Sequence, residues 1–144
     1  MQIDETDWKI IERLSEQYEM NTALARALGV SEGMIRQRIK RLQDHGVIRV
    51  RALRNPEVLS NQQLAYVTVN LVESRLLDEK AQELSALENV LSVAILSGQY
   101  DLMLEVLVDS NKGLIRFLVE QLSGVEGIAK TETLLVLKSY DKWI

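Results

Sequence analysis

The sequence predicts an α+β protein of two domains: a three-helix helix-turn-helix domain followed by a ferredoxin-like βαββαβ domain. Three observations carry this. Apolar residues recur at helical spacing through the first 45 positions. Strand-like apolar runs alternate with amphipathic stretches from residue 64 onward. The single proline, Pro56, falls between the two patterns. The boundaries follow as 1–55 for the helical domain, 56–63 for a linker and 64–144 for the second domain. With 144 residues, 47% of them apolar, each half is long enough to bury a modest core.

Helix one spans Asp4 to about Tyr18, with Trp8, Ile11, Leu14 and Tyr18 as its inner face and Ile10 beside them. Asp4, Glu5 and Asp7 lie where a first turn favours negative charge. A second helix fits 22–28, opened by Asn21 or Thr22, packing Leu24 and Leu28 inward, and stopped by Gly29. The third starts from Ser31 as N-cap, with a staple between Val30 and Ile35, buries Ile35, Ile39 and Leu42, and ends at Gly46 after about His45. Helix, tight turn with glycine, helix is the DNA-binding helix-turn-helix pattern.

The charge distribution agrees with that pattern. The net charge of −4 argues against nucleic acid until it is divided by region. Residues 1–32 carry net −4 and residues 57–144 net −6, whereas 33–56 carry +6 from Arg36, Arg38, Lys40, Arg41, Arg49, Arg51 and Arg54 against Asp44 alone. With Ile35, Ile39 and Leu42 inward, Gly33, Gln37, Lys40 and Arg41 face the other way, with Arg36 and Arg38 on the flanks and Ser31 at the helix start. Arg and Lys suit phosphates or guanine, Gln suits adenine, and a glycine admits close backbone approach. A solvated cationic face on a small bundle is the plainer alternative.

Beyond Pro56 come LAYVTVNLV (64–72), a helix with Leu77, Ala81, Leu84 and Leu87, VLSVAIL (90–96), DLMLEVLV (101–108), a helix with Leu114, Leu118 and Leu122, and TETLLVL (131–137). Two βαβ units joined by a turn around Gly98 give a four-stranded antiparallel sheet with both helices on one face. Apolar residues on both sides of strands 90–96 and 101–108 imply that a second copy covers the other face, as a homodimer. Asn70, Ser92 and Glu105 mark a wet face in the opposite reading.

The stretches IDETDWKIIERL, ALARALGVSEGMIRQRIKRLQDHGVI, SGQYDLMLEVLVDS and VEGIAKTET resemble the Lrp/AsnC (leucine-responsive, feast/famine) family of transcription regulators across essentially the whole chain. The resemblance implies a ligand-binding and dimerisation role for the second domain. It also implies assembly to a tetramer of dimers, an octamer, and an amino acid or related metabolite as effector. The family's Gly-x-x-Asp turn falls on Gly98, Gln99, Tyr100 and Asp101, and its threonines fall on Thr131 and Thr133. An acceptor such as Asp101, hydroxyl or backbone donors and an aromatic wall suit a zwitterion. The same four residues also make a good hairpin turn, and the threonines ordinary strand residues. The segment VIRVRALRNPEVLS departs from the family pattern after Gly46 and adds Arg49, Arg51 and Arg54 as phosphate candidates.

Enzymatic readings are weak. There is no cysteine, and the single histidine, His45, lies in the helical half. No P-loop, Gly-x-Ser-x-Gly or paired acids with a base are present, so no catalytic residue, metal site or cofactor is expected. Sirohaem decarboxylase subunits share the family resemblance and keep an enzyme as a minor alternative, beside an architectural protein that wraps DNA without an effector. The N-terminus has no apolar h-region and no run approaches a membrane span, which reads as cytoplasmic with no membrane partner.

Overall fold

The computed structural model describes residues 2–58 and 60–144. The chain divides into two compact units, Met1–Ala52 and Leu53–Ile144. The division falls three residues ahead of the expected boundary. Arg54 belongs with the second unit because its backbone exchanges two hydrogen bonds with Ile144, at 2.7 and 2.9 Å.

The first unit holds α1 (Glu5–Glu16), α2 (Asn21–Leu28) and α3 (Glu32–Asp44) around Ile10, Leu24, Ala25, Ile35 and Leu42. Helix α1 opens on a capping box in which Asp4 and Asp7 accept each other's backbone N–H. Its inner face differs from the expected one. Trp8 and Tyr18 are exposed, and the buried stripe is Asp7, Ile10, Ile11 and Leu14, the i, i+3, i+4, i+7 set that begins on a carboxylate. The N-cap of helix α2 is Met20, which offers no side-chain cap, not Asn21 or Thr22. It stops as expected at Gly29, whose φ of +67° is the left-handed conformation that glycine adopts without strain. Ser31 caps α3 by accepting from the Met34 N–H.

The Asp4 carboxyl is held below its ordinary value of 3.8, first by the Arg38 guanidinium and then by the Asp7 N–H. Because the folded value lies below the unfolded one, this stabilisation is present at neutral pH and lost as pH falls below about 4. Asn caps as well as Asp, so Asp4→Asn is expected to lower the urea midpoint at pH 7 and to converge on the parent protein as pH falls through the depressed folded value, below 3.8. A constant difference across that range would show that the charge of Asp4 contributes nothing.

The second unit has β1 (Gln63–Leu71), α4 (Leu77–Ser85), β2 (Val90–Ile95), β3 (Leu102–Val108), α5 (Asn111–Arg116) and β4 (Ile128–Leu135). Its one sheet is antiparallel in the order β2-β3-β1-β4, the ferredoxin-like βαββαβ arrangement expected from the sequence. After α5 the chain continues as a wider π-type turn (Phe117–Gln121) and a tight turn to Gly124, so Phe117 becomes the largest fully buried side chain. Strand β4 begins three residues earlier than expected, after Gly127 turns at φ +85°.

Register assigns the faces, since residues directly opposite each other share a side. Ala65, Val67, Val69 and Leu71 of β1 join Leu102, Leu104, Val106 and Val108 of β3 beneath Leu84, Leu114 and Phe117. The other face carries Leu64, Tyr66, Thr68, Asn70, Ser92, Ala94, Met103, Glu105, Leu107, Glu132 and Leu134, which is mixed rather than uniformly apolar. The tail after β4 is tied to the unit by Ser139 donating to Glu57 and by a Lys142–Glu105 ion pair.

Candidate functional site

Two regions hold the residues singled out from the sequence. The first is α3 and the segment after it. Ser31, Gly33, Arg36, Gln37, Lys40, Arg41, Arg49 and Arg51 are all exposed, and the space beside Gly33 is open. Arg36 and Lys40 pair with Glu32 and Asp44, one turn away on the same helix, at 2.5 and 2.7 Å. Such exposed pairs are weak and readily exchanged for a phosphate.

Arg38 and Arg41 differ. Arg38 Nη1 lies 2.8 Å from Asp7 Oδ1 and 2.6 Å from Asp4 Oδ2, and Arg41 Nη2 lies 2.5 Å from Asp7 Oδ2. Arg38 therefore turns back toward α1 rather than standing out on the flank of the helix. Arg49 and Arg51 enter no ion pair among the described residues. They line a hollow of about 620 Å³ with Gln43, Gly46, Val47 and Ile48. His45 caps the end of α3, its Nδ1 2.9 Å from the Arg41 carbonyl.

The second region is the turn between β2 and β3. Gly98 has φ +128°, open to glycine and strained for other residues. Gln99 accepts from Asn70 Nδ2 through its carbonyl at 2.8 Å. Asp101 donates its N–H to Val69 O at 3.0 Å and takes the Leu71 N–H on Oδ2 at 2.8 Å. That last bond falls at the β1 register shift between Asn70 and Leu71, so the carboxylate satisfies a backbone donor where the ladder is irregular. The Tyr100 hydroxyl donates to Glu132, and that hydrogen bond, with burial behind it, raises the phenol's pKa.

Thr131 and Thr133 pair opposite Val69 and Val67 and so lie on the helix face of the edge strand β4. There they line a cleft of about 310 Å³ with Leu118, Leu122, Ser123 and Val125. Tyr100 reaches the other side of the same strand at Glu132. Within one chain the six effector candidates therefore fall into two groups, the threonines on the helix face of β4 and the turn against the end of β1, from which Tyr100 alone reaches the other face of β4. Asp7, Asn70 and Glu132 are site residues the sequence reading missed. The signal for Asp7 was its place at i−3 from Ile10.

Among the described residues no group of three or more acids or imidazoles could hold a metal ion, and no helix is long and apolar enough to cross a membrane.

A helix-turn-helix unit joined to a ferredoxin-like unit with a structured β2–β3 turn defines a class of two-domain DNA-binding regulators. Comparison with known proteins narrows this. The Lrp/AsnC ligand binding domain matches residues 64–142, and a winged helix-turn-helix DNA-binding domain matches residues 3–49. The chain belongs to the Lrp/AsnC family of transcriptional regulators.

An uncharacterised HTH-type transcriptional regulator of Pyrococcus furiosus is 36% identical over 98% of this chain and 95% of its own length. The proline dehydrogenase transcriptional activator of Rhizobium radiobacter is 30% identical over 95% and 90%. The solved complex of a Neisseria meningitidis transcriptional regulator with L-Met superposes with a TM-score of 0.72 at 25% identity, covering 98% of this chain and 94% of that one.

Proposed function

We propose that the protein is a sequence-specific regulator whose C-terminal unit binds an amino acid or a related small metabolite and thereby changes how α3 meets double-stranded DNA. The observation that carries the proposal is the turn at Gly98–Asp101. Three hydrogen bonds tie it to the end of β1, so the Asp101 carboxylate is held in place, and the Tyr100 hydroxyl donates to Glu132 beside it. Fixed carboxylates and a hydroxyl suit an ammonium and a carboxylate presented together. The L-Met complex of the Neisseria relative supports the ligand class.

The acting form in this reading is a homodimer, assembling further to a tetramer of dimers. Leu134, Leu137, Tyr140 and Trp143 are exposed on β4 and the tail, and a second copy packed there would take them out of water. Two copies present two recognition helices to two half-sites. An effector that binds one assembly better than another shifts DNA affinity by that difference and no more.

A thermal-shift series with the twenty amino acids, run beside solution mass, is expected to give at least one stabilising ligand and a mass of two chains or a multiple. No stabilisation by any of them, with unchanged binding to unrelated duplexes, would favour the architectural alternative.

A further inference from the structure

Asp7 is wholly buried, on the inner stripe of α1, where a lone carboxylate would be costly. Both of its oxygens are taken up by α3: Arg38 on Oδ1 at 2.8 Å and Arg41 on Oδ2 at 2.5 Å, with the Asp4 N–H completing the shell at 3.1 Å. Arg38 and Arg41 are one turn apart, so they lie on the same flank of α3, between the core side (Ile35, Leu42) and the outward side (Gln37, Lys40). Asp4 closes on Arg38 from the helix cap with a second carboxylate. One contact would leave α3 free to roll about its axis. Two, spaced along the helix and anchored on one buried group, fix both its roll and its position along α1.

We infer that Asp7 is the positioning residue of the recognition helix, and that it withdraws Arg38 from the phosphate-contacting set to which its charge would assign it. The cationic stretch then divides by job. Arg38 and the Asp7-bound edge of Arg41 set the angle at which α3 is presented. Gln37, Arg36, Lys40, Arg49 and Arg51 are left to meet DNA. A helix whose roll is fixed holds base-reading side chains in one register, so this device acts on discrimination between sequences more than on total affinity.

The inference rests on the DNA-binding half of the proposed function, and one experiment separates the two. The full-length protein selects a duplex from a random library, and affinities for that duplex and a scrambled one of equal composition are measured across a salt series. Each phosphate contact contributes about 0.9 to the slope of log affinity against log salt. Arg38→Gln is expected to leave that slope unchanged while lowering the preference for the selected duplex at least tenfold. Asp7→Asn is expected to lower the preference similarly and to steepen the slope as the released guanidiniums reach phosphates.

A slope reduced by about 0.9 per protomer in Arg38→Gln, with preference intact, would overturn the assignment. So would an Asp7→Asn protein that discriminates as the parent does. Circular dichroism and a melt establish folding. If Asp7→Asn is unfolded, Arg38→Gln decides alone, because Asp7 keeps Arg41 and the Asp4 N–H there. A parent protein that selects no duplex would overturn the DNA-binding reading and this inference with it.

Discussion

Replacing Arg49 and Arg51 together by Gln is expected to weaken duplex binding about sixtyfold per protomer at 0.1 M salt, with the loss vanishing toward 1 M. Each lost phosphate contact removes about 0.9 of a log unit for every tenfold of salt below that limit, and two remove about 1.8. These two arginines are chosen because they enter no ion pair among the described residues, so their charge is fully available to phosphate. Arg36 and Lys40 must each give up an exposed partner one turn away, an exchange that costs little but blunts their contribution. The measurement is the salt slope on both a selected and a scrambled duplex. An unchanged slope would place the segment after α3 away from the DNA. A loss confined to the selected duplex would make these residues base readers instead.

The contrast between Arg38 and Arg49 shows where the sequence was readable. Gly29, Ser31 and Gly46 carry local chemistry that fixes the turn and both ends of α3, so the helix-turn-helix could be drawn nearly to the residue. Apolar runs separated by amphipathic stretches placed the strands, and within them the structure buries Val67, Val69, Leu102 and Leu104 at period two. Apolar residues alone misplace the inner face of α1, since Trp8 and Tyr18 are exposed and Asp7 is buried. The true stripe starts at Asp7, and a buried acid is legible only once its two arginines, some thirty residues on, are brought beside it. The stretch 33–56 carries +6, but a sum of charges does not say which of them are already engaged. The pairing of Arg54 with Ile144 is likewise remote in sequence and made through backbone, which no residue type announces.

The effector turn gives the other large expectation. Asp101→Ala should lose any amino-acid-induced thermal shift and also destabilise the protein by about 1–3 kcal/mol, because the Leu71 N–H, on a nearly buried residue, is left without an acceptor. Both effects in one variant would not separate building the turn from binding the ligand. Asp101→Asn does separate them. Its amide oxygen can still accept from Leu71, so the turn and the unliganded melting temperature should stay near those of the parent protein. The negative charge facing an ammonium is gone, so the ligand-induced shift should be lost. If Asp101→Asn responds to the amino acid as the parent does, Asp101 serves the backbone alone. The ammonium acceptor is then sought at Glu132, the other carboxylate at this end of the sheet, where Tyr100 already donates a hydrogen bond. The pair of variants thus assigns the charge of Asp101 to the fold or to the ligand, which a single alanine would leave merged.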